Sequence, residues 1–413
     1  MGVIGSVRER DLRVVSFAIG LSALGDLIAL VALGLAAKNM AGDEMGSGVA
    51  VAALFICLWA PLVLFAGHVG LLVDRLETRS LLVSVSLGQA LVAVALALVG
   101  SLAALLVLAA VLGTGIAVAQ AAEFALVPAV AGSRTLQSTN STVETARTLG
   151  FTIGPVCGSV LVAAGGTSTA MLVNAASFVA VAIAALSLGV RRRAEGDGSQ
   201  GKRRARDGIS FLLGDHLVAL MAVVVFVSLL FMSASIPADL VYTEDVLEME
   251  NIGIGILFSS WTLGMLVGSN VVARRVSLAG LVTAALVGVV VQGLGKFAAP
   301  FWLVFGFAVA TYFVGGIGHG LKNVTSRTLI HHRIPPERHG RAFAAWNGVR
   351  NAAELGALAV GGVVVGTIGA HSTLWFAGGL SALAGAIGLV YLAGWGATRS
   401  AKTEADVSTT GST

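Results

Sequence analysis

The chain has 413 residues, 56% of them hydrophobic and only 12% charged, with a formal net charge of +4. Runs of about 20 apolar residues recur along almost its whole length, enough at 1.5 Å per residue to cross about 30 Å of hydrocarbon. This excludes a soluble globular protein, and continuous rather than alternating apolarity excludes a barrel, which leaves an all-α membrane protein. The two cysteines, Cys57 and Cys157, both sit inside apolar runs and read as small buried hydrophobes rather than a disulfide framework.

The first apolar run follows Arg8, Arg10 and Arg13, as a secretory leader would. It continues to about Ala37 and carries Asp26 at its middle, too long for a signal core of about 7–15 residues, so it reads as a membrane helix. Twelve spans, α1 to α12, are predicted. The first six cover 14–37, 48–71, 81–99, 103–127, 140–164 and 170–188. The second six cover 218–238, 252–272, 278–294, 301–321, 342–368 and 374–394. Between the sets lies RRRAEGDGSQGKRRARD, with seven Lys/Arg in 17 residues, a like-charged run that cannot bury itself and reads as a solvated linker. The expected organisation is a six-helix bundle over 1–190, a basic linker over 191–208, a second six-helix bundle over 209–396 and a disordered tail over 397–413. Residues 209–217 form a short amphipathic lead-in to α7.

Twelve spans put both termini on one side, and positive-inside counting makes that side cytoplasmic, in a bacterial inner membrane. With that choice 24 of the 26 Lys/Arg fall in cytoplasmic segments or the adjoining helix starts, leaving only Lys38 and Lys296 outside. The outer connection after α7 is acidic instead, with Asp239, Glu244, Asp245, Glu248 and Glu250. The two sets also echo one another. NSTVETARTLG opens α5 and WNGVRNAAELG opens α11, each with a Glu and an Arg ahead of a Leu-Gly pair. A six-plus-six repeat of this kind marks alternating-access transporters.

Between α2 and α3 the chain reads GLLVDRLETR, with Gly70, Asp74, Arg75 and Arg79. This resembles the signature of the major facilitator superfamily, departing from it at Glu77 and Thr78. The resemblance implies a twelve-helix fold of two pseudo-symmetric bundles and assigns those four residues to a cytoplasmic gate. In α5, GFTIGPVCG repeats glycine at Gly150, Gly154 and Gly158 beside Pro155, a smooth stripe for close helix packing. The pattern resembles the antiporter motif of facilitator-type drug exporters. In those exporters α4 carries an arginine tied to proton movement; here LGTGIAVAQAAEF holds no basic residue. LVPAVAGSRTLQSTNS and TLIHHRIPPERHGRAF are similar to the branch holding macrolide efflux pumps and the enterobactin exporter.

Asp26 lies about twelve residues into α1, near mid-membrane. A charged carboxylate there costs roughly 2.5–3.5 kcal/mol on insertion scales, and taking up a proton removes that charge. Asp26 is therefore a candidate proton carrier or cation site, against the plainer reading of a hydrogen-bonded brace. Glu123, near the cytoplasmic end of α4, is the second proton-coupling candidate. Glu144 with Arg147, and Arg350 with Glu354, have the spacing of intrahelical ion pairs, with contacts between the bundles as the alternative. His68, His319, His331 and His332 read as solvated or snorkelling, and none has metal-ligand spacing. The resemblance implies a cavity lined by α1, α4, α7 and α10, which offer Gln120, Phe226, Phe231, Met232, Thr311 and Tyr312 beside the two carboxylates. That lining is mostly apolar and suits a hydrophobic or amphiphilic solute.

The expected activity is proton-coupled efflux of a drug-, macrolide- or siderophore-like molecule by alternating access. An uptake symporter and a lysophospholipid flippase are the transport alternatives, and a membrane sensor or scaffold the non-transport one. No nucleotide loop, nucleophile elbow or metal cluster is apparent, so no enzyme activity, cofactor or metal is expected. The partners expected are a small-molecule substrate, protons and the lipid bilayer, with no nucleic acid, and the chain is expected to act as a monomer.

Overall fold

The computed structural model describes residues 3–41, 44–131, 136–189, 210, 212–249, 252–334 and 339–410. Helix is the dominant element among the described residues, and no strand occurs there. The linker 191–208 lies outside them.

The first bundle comprises α1 (Val3–Ala41), α2 (Glu44–Leu64), α3 (Thr78–Ala97), α4 (Leu102–Val130), α5 (136–164) and α6 (167–186), with a short helix Ala66–Arg75 between α2 and α3. The second comprises α7 (His216–Ala234), α8 (Ile252–Val267), α9 (Leu281–Ala298), α10 (Phe305–Arg333), α11 (339–368) and α12 (370–410). Nine described helices are long and apolar enough to cross a membrane, and two of these contain a sharp break. Those breaks fall at Gly165–Gly166 and at Gly369, where Gly166 and Gly369 have φ of 71° and 78°. Only glycine adopts that region without strain, so the chain turns from α5 into α6 and from α11 into α12 at matching places in the two bundles. With the two breaks resolved and the more polar α10 added, the count is twelve.

Local chemistry sets several boundaries. Ser101 caps α4 by accepting from the Ala104 amide at 3.4 Å, and Asp215 caps α7 by accepting from the Leu217 and Val218 amides at 3.0 and 3.1 Å. The Asp11 carboxylate, fully buried, accepts from the Gly189 amide at 3.0 Å and ties the end of α6 to the start of α1. The helical backbone also continues to Thr410, through the tail expected to be disordered, where Ala, Lys and Glu favour helix.

One departure matters for function. The seventh span was predicted to end at 238 and to be followed by an outer loop. Instead α7 stops at Ala234, and after Ser235 the chain re-enters helix over Ile236–Val241, with Pro237 in its first turn, and continues as a π-type turn over Tyr242–Val246. Proline at a helix start lacks an amide that would be unpaired there anyway, so it restarts the helix rather than ending the span.

The bundles meet mainly through α2 with α11 and α5 with α8. These contacts lie toward the side opposite the termini. A Cβ on Gly48 would come 2.9 Å from the Gly362 carbonyl, and one on Gly255 would come 2.6 Å from the Pro155 carbonyl. The Ser259 hydroxyl donates to the Thr152 carbonyl at 2.8 Å across the same seam. Small residues allow this backbone approach, which substitutes for a hydrophobic driving force in lipid.

Candidate functional site: a central cavity open on the side of the termini

Where the bundles separate, toward the termini, they enclose a cavity of about 940 Å³. Its walls come from the termini-side portions of α2, α4, α5, α10 and α11. Glu144 and Arg147 face it from one bundle, and Arg327, Arg350 and Glu354 from the other, with Gln120, His331 and Asn351. Trp59, Phe151 and Leu355 add apolar wall. The expected lining was mostly apolar; the observed one mixes charged and apolar groups evenly. The reason is the helical register of α5 and α11, which turns Glu144 and Arg147 of one helix and Arg350 and Glu354 of the other inward.

The other side is closed by charge as well as packing. The Lys38 ammonium, at the end of α1, donates to the Glu244 carboxylate and, at 2.7 Å, to Asp245 on the π-type turn after α7. This ion-pair cluster joins the two bundles, and Gly34 packs on Leu240 just beneath it. Sequence reasoning placed Lys38 and the two carboxylates in separate outer loops; the restarted helix after α7 brings them together.

A second, deeper cavity of about 290 Å³ lies between α1, α7, α8, α9 and α10. Leu27, Leu30, Met232 and Trp261 line it with a buried polar cluster. At its centre Asp239, 3% exposed, accepts from Lys296 at 2.7 and 2.8 Å and from the Tyr312 hydroxyl at 2.7 Å. Lys296, 5% exposed, also donates to Ser235 at 2.7 Å. Each ion has an opposite charge and further hydrogen bonds, the condition under which a buried pair is tolerated. Lys296 was expected on the outer surface and Asp239 in a loop. A lysine two residues beyond a predicted apolar span was the available signal, since intramembrane ionisable groups mark function by default.

Next to this cluster, Lys322 is 2% exposed and donates to Gln292 at 2.8 Å, and Gln292 in turn donates to Ser228 at 3.4 Å. Lys322 was counted among the cytoplasmic-side cations, and His319 as snorkelling; both face the interior instead. The Nδ1 of His319 is buried and has no hydrogen-bond partner.

The proton-coupling candidates gather in the first bundle. Asp26 does not line either cavity: α1 turns Leu27 and Leu30 to the cavity and Asp26 toward α4 and α5. Asp26 is half-buried, its Oδ1 has no hydrogen-bond partner, and the charges acting on it are Glu123 and Arg147. Glu123, 5% exposed, is 3.6 Å from an Arg147 guanidinium nitrogen. Arg147 was expected to pair with Glu144 one turn away; it reaches across to α4, and so supplies from α5 the basic group that α4 lacks. Arg350 and Glu354 do pair within α11, at 3.7 Å.

The remaining candidates divide. Gln120, Met232 and Tyr312 line the cavities. Phe226 lines a separate lateral pocket, Phe231 lines none of these, and Thr311 is spent on the Ala308 carbonyl at 2.9 Å. Gly150, Gly154 and Gly158 pack on α1, where a Cβ on Gly150 would sit 2.3 Å from the Gly20 carbonyl. Pro155, on the neighbouring face, sets its carbonyl against Gly255 of α8. Of the gate motif, Arg75 is exposed, and Arg79 donates to the Leu186 carbonyl and, at 2.9 Å, to Leu188, capping α6 within its own bundle. The side-chain environments of Gly70 and Asp74 lie outside the described residues. Among the described residues no group of three or more His, Cys, Asp or Glu could hold a metal ion.

Comparison with known proteins agrees with this architecture. The family model of the Major Facilitator Superfamily matches residues 15–276 and 246–411. No curated protein matches the sequence. Among solved structures, the nucleoside transporter NupG superposes with a TM-score of 0.70 at 14% identity, covering 93% of this chain and 99% of that one. A bacterial homologue of the iron transporter ferroportin, in an inward-facing state, gives 0.71 at 15% identity over 95% and 99%. A POT family transporter in complex with 5-aminolevulinic acid gives 0.73 at 15% identity over 92% and 96%. At these identities the likeness is one of fold, and the substrates named differ from one neighbour to the next. The sequence match spans nearly the whole chain, and the chain belongs to the Major Facilitator Superfamily, a family of multi-pass membrane transporters.

Proposed function

We propose that this transporter exports an amphiphilic small molecule from the cytoplasm in exchange for protons. The supporting observation is the cavity of about 940 Å³, open toward the termini and closed opposite, whose wall holds Arg147. A solute that binds there meets a guanidinium already engaged with Glu123, and behind Glu123 stands Asp26 with an unpartnered oxygen. A solute whose polar head engages the Glu123 carboxylate in place of Arg147 needs that carboxylate charged, whereas a proton on the same carboxylate cancels the charge. Solute and proton then compete for one carboxylate, which is the requirement for exchange.

The open side is read as cytoplasmic, in a bacterial inner membrane, a reading supported by basic loops beside both termini. The organisation proposed is two bundles joined by the basic linker 191–208, with the rocking seam made by α2–α11 and α5–α8. One proton charge moving inward through 100 mV supplies about 2.3 kcal/mol, enough for a solute gradient of roughly 50-fold. Of the hydrophobic or amphiphilic solutes expected from sequence, the mixed lining favours one carrying polar or charged groups on an apolar body. A solute of the macrolide, siderophore or lysolipid kind fits that description, and drug efflux is the physiological reading.

The test uses inverted vesicles energised to an acid interior and a pH-quenched dye, with macrolides, tetracyclines, lipophilic cations and lysolipids added in turn. Substrate-dependent proton release in wild type, lost in Asp26→Asn at equal protein level, is expected. Release that survives Asp26→Asn removes Asp26 from the pathway, and no release with any compound refutes proton-coupled export of this substrate class.

A further inference from the structure

Three cations of the second bundle converge where the proposed proton pathway does not need them. Lys322, Arg327 and Arg350 line a recess of about 50 Å³ at the edge of the central cavity, with His319 and a single carboxylate, Glu354. Glu354 is 3.7 Å from Arg350 and offsets one charge. The Lys322 ammonium donates its hydrogen bond to the neutral Gln292, and Arg327 is exposed to the cavity. An excess of positive charge inside a membrane-embedded recess is costly unless an anion completes it.

The same recess adjoins an apolar slot of about 260 Å³ between α7 and α11. The two share Val225, Leu229, Trp346 and Arg350, so the slot runs onto the basic recess. At its far end Leu213, in the lead-in to α7, and Val223, in the span itself, are 57% and 55% exposed, apolar side chains on the outside of the second bundle. Arg350 is the one charged residue among the described residues that line the slot. A chain-shaped apolar space that opens toward lipid at one end and meets three cations at the other is complementary to one class of molecule.

We propose that this slot and recess bind a single-chain amphiphile with an anionic head, a carboxylate or a phosphate monoester, reaching the central cavity sideways from the membrane. The tail lies along Val223 and Trp346 in the slot, and the head is held by Arg327, Arg350 and Lys322. This deepens the export reading by naming a substrate class and a lateral path, and rests on that reading for its role in transport, though not for binding.

The test is equilibrium binding of tritiated lauric acid to the purified full chain in nanodiscs of zwitterionic phosphatidylcholine, with lauroyl-lysophosphatidic acid and dodecanol as competitors. Lauric acid is expected to bind saturably, to be displaced by the lysophosphatidic acid, and not to be displaced by dodecanol. Arg327→Gln, which removes a cavity-exposed cation, is expected to weaken binding by about tenfold, as is Val223→Trp, which fills the slot from the lipid side; both are checked for matched thermal unfolding. Displacement by dodecanol equal to that by the acids, or unchanged affinity in either variant, overturns the proposal. If either acid binds the more tightly the proposal stands, and the winner identifies a free carboxylate or a lipid phosphate as the source. Binding without proton release sinks the antiport reading alone, whereas proton release with other compounds and no binding here sinks this site alone.

Discussion

Lys38 is the side chain on which closure of the side opposite the termini most directly depends. It joins the bundles through Glu244 and Asp245, with side-chain exposures of 10%, 16% and 46% for the three residues. A hydrogen bond between charged partners is worth about 1.5–3 kcal/mol. The Glu244 arm, nearly shielded from solvent, falls in that range, whereas the half-exposed Asp245 arm is screened to about 0.5 kcal/mol or less. Lys38→Gln also leaves two carboxylates side by side, and opening the seam separates the whole cluster. We expect Lys38→Gln to shift the balance between states by about 2 kcal/mol toward opening on that side, roughly a 30-fold change in their ratio. Spin labels on Val49→Cys of α2 and Val363→Cys of α11, both lipid-exposed beside the Gly48–Gly362 contact, report the opening as a longer distance in pulsed electron resonance. Exchanging the charges, Lys38→Glu with Glu244→Lys, should restore the short distance. An unchanged distance distribution in Lys38→Gln would refute the argument.

Three further outcomes follow from the same geometry. Lys296→Met strands the Asp239 carboxylate, and removing one partner of a buried pair costs about 3–5 kcal/mol, so thermal unfolding in detergent should fall sharply. The double variant Lys296→Met with Asp239→Asn should recover most of that loss. Gly150→Val forces a Cβ to within 2.3 Å of the Gly20 carbonyl and should lower the yield of folded protein, measured by size exclusion, whereas Gly88→Ala, with open space around it, should leave the yield unchanged. Arg147→Gln should abolish substrate-dependent proton release and also lower the unfolding temperature, because it strands the buried Glu123 carboxylate 3.6 Å away, whereas Arg147→Gln with Glu123→Gln should recover the unfolding temperature but not the proton release.

The fold was legible because its determinants are local. Twenty-residue apolar runs specify the spans, and the glycines at 165, 166 and 369 mark the turns within the paired helices. The repeat of α5 in α11 was legible as two-fold organisation, while the Glu and Arg of each, read by spacing as intrahelical pairs, line one cavity. What could not be read was pairing at long separation. Asp239 and Lys296 are 57 residues apart, and Lys38 and Asp245 are 207 apart. Falling hydropathy after 238 suggested a loop, yet a helix restarts at Ile236, with Pro237 in its first turn, and carries Asp239 inward. Arg147 was assigned by spacing to Glu144, but helix packing offered it the more buried Glu123, where a charge pair is stronger. Lys322 and His319 sat where positive-inside counting explained them already, so nothing in the sequence called for an interior role.

The central claim, exchange of solute for protons through the first bundle, is tested most directly in proteoliposomes. The compound that releases protons most strongly in inverted vesicles is supplied radiolabelled, with and without an imposed pH gradient, to wild type and Asp26→Asn. The account predicts gradient-driven accumulation by wild type, and for Asp26→Asn only solute exchange down its own gradient, with no accumulation. Accumulation by Asp26→Asn equal to wild type, or accumulation by wild type that ignores the pH gradient, would contradict it.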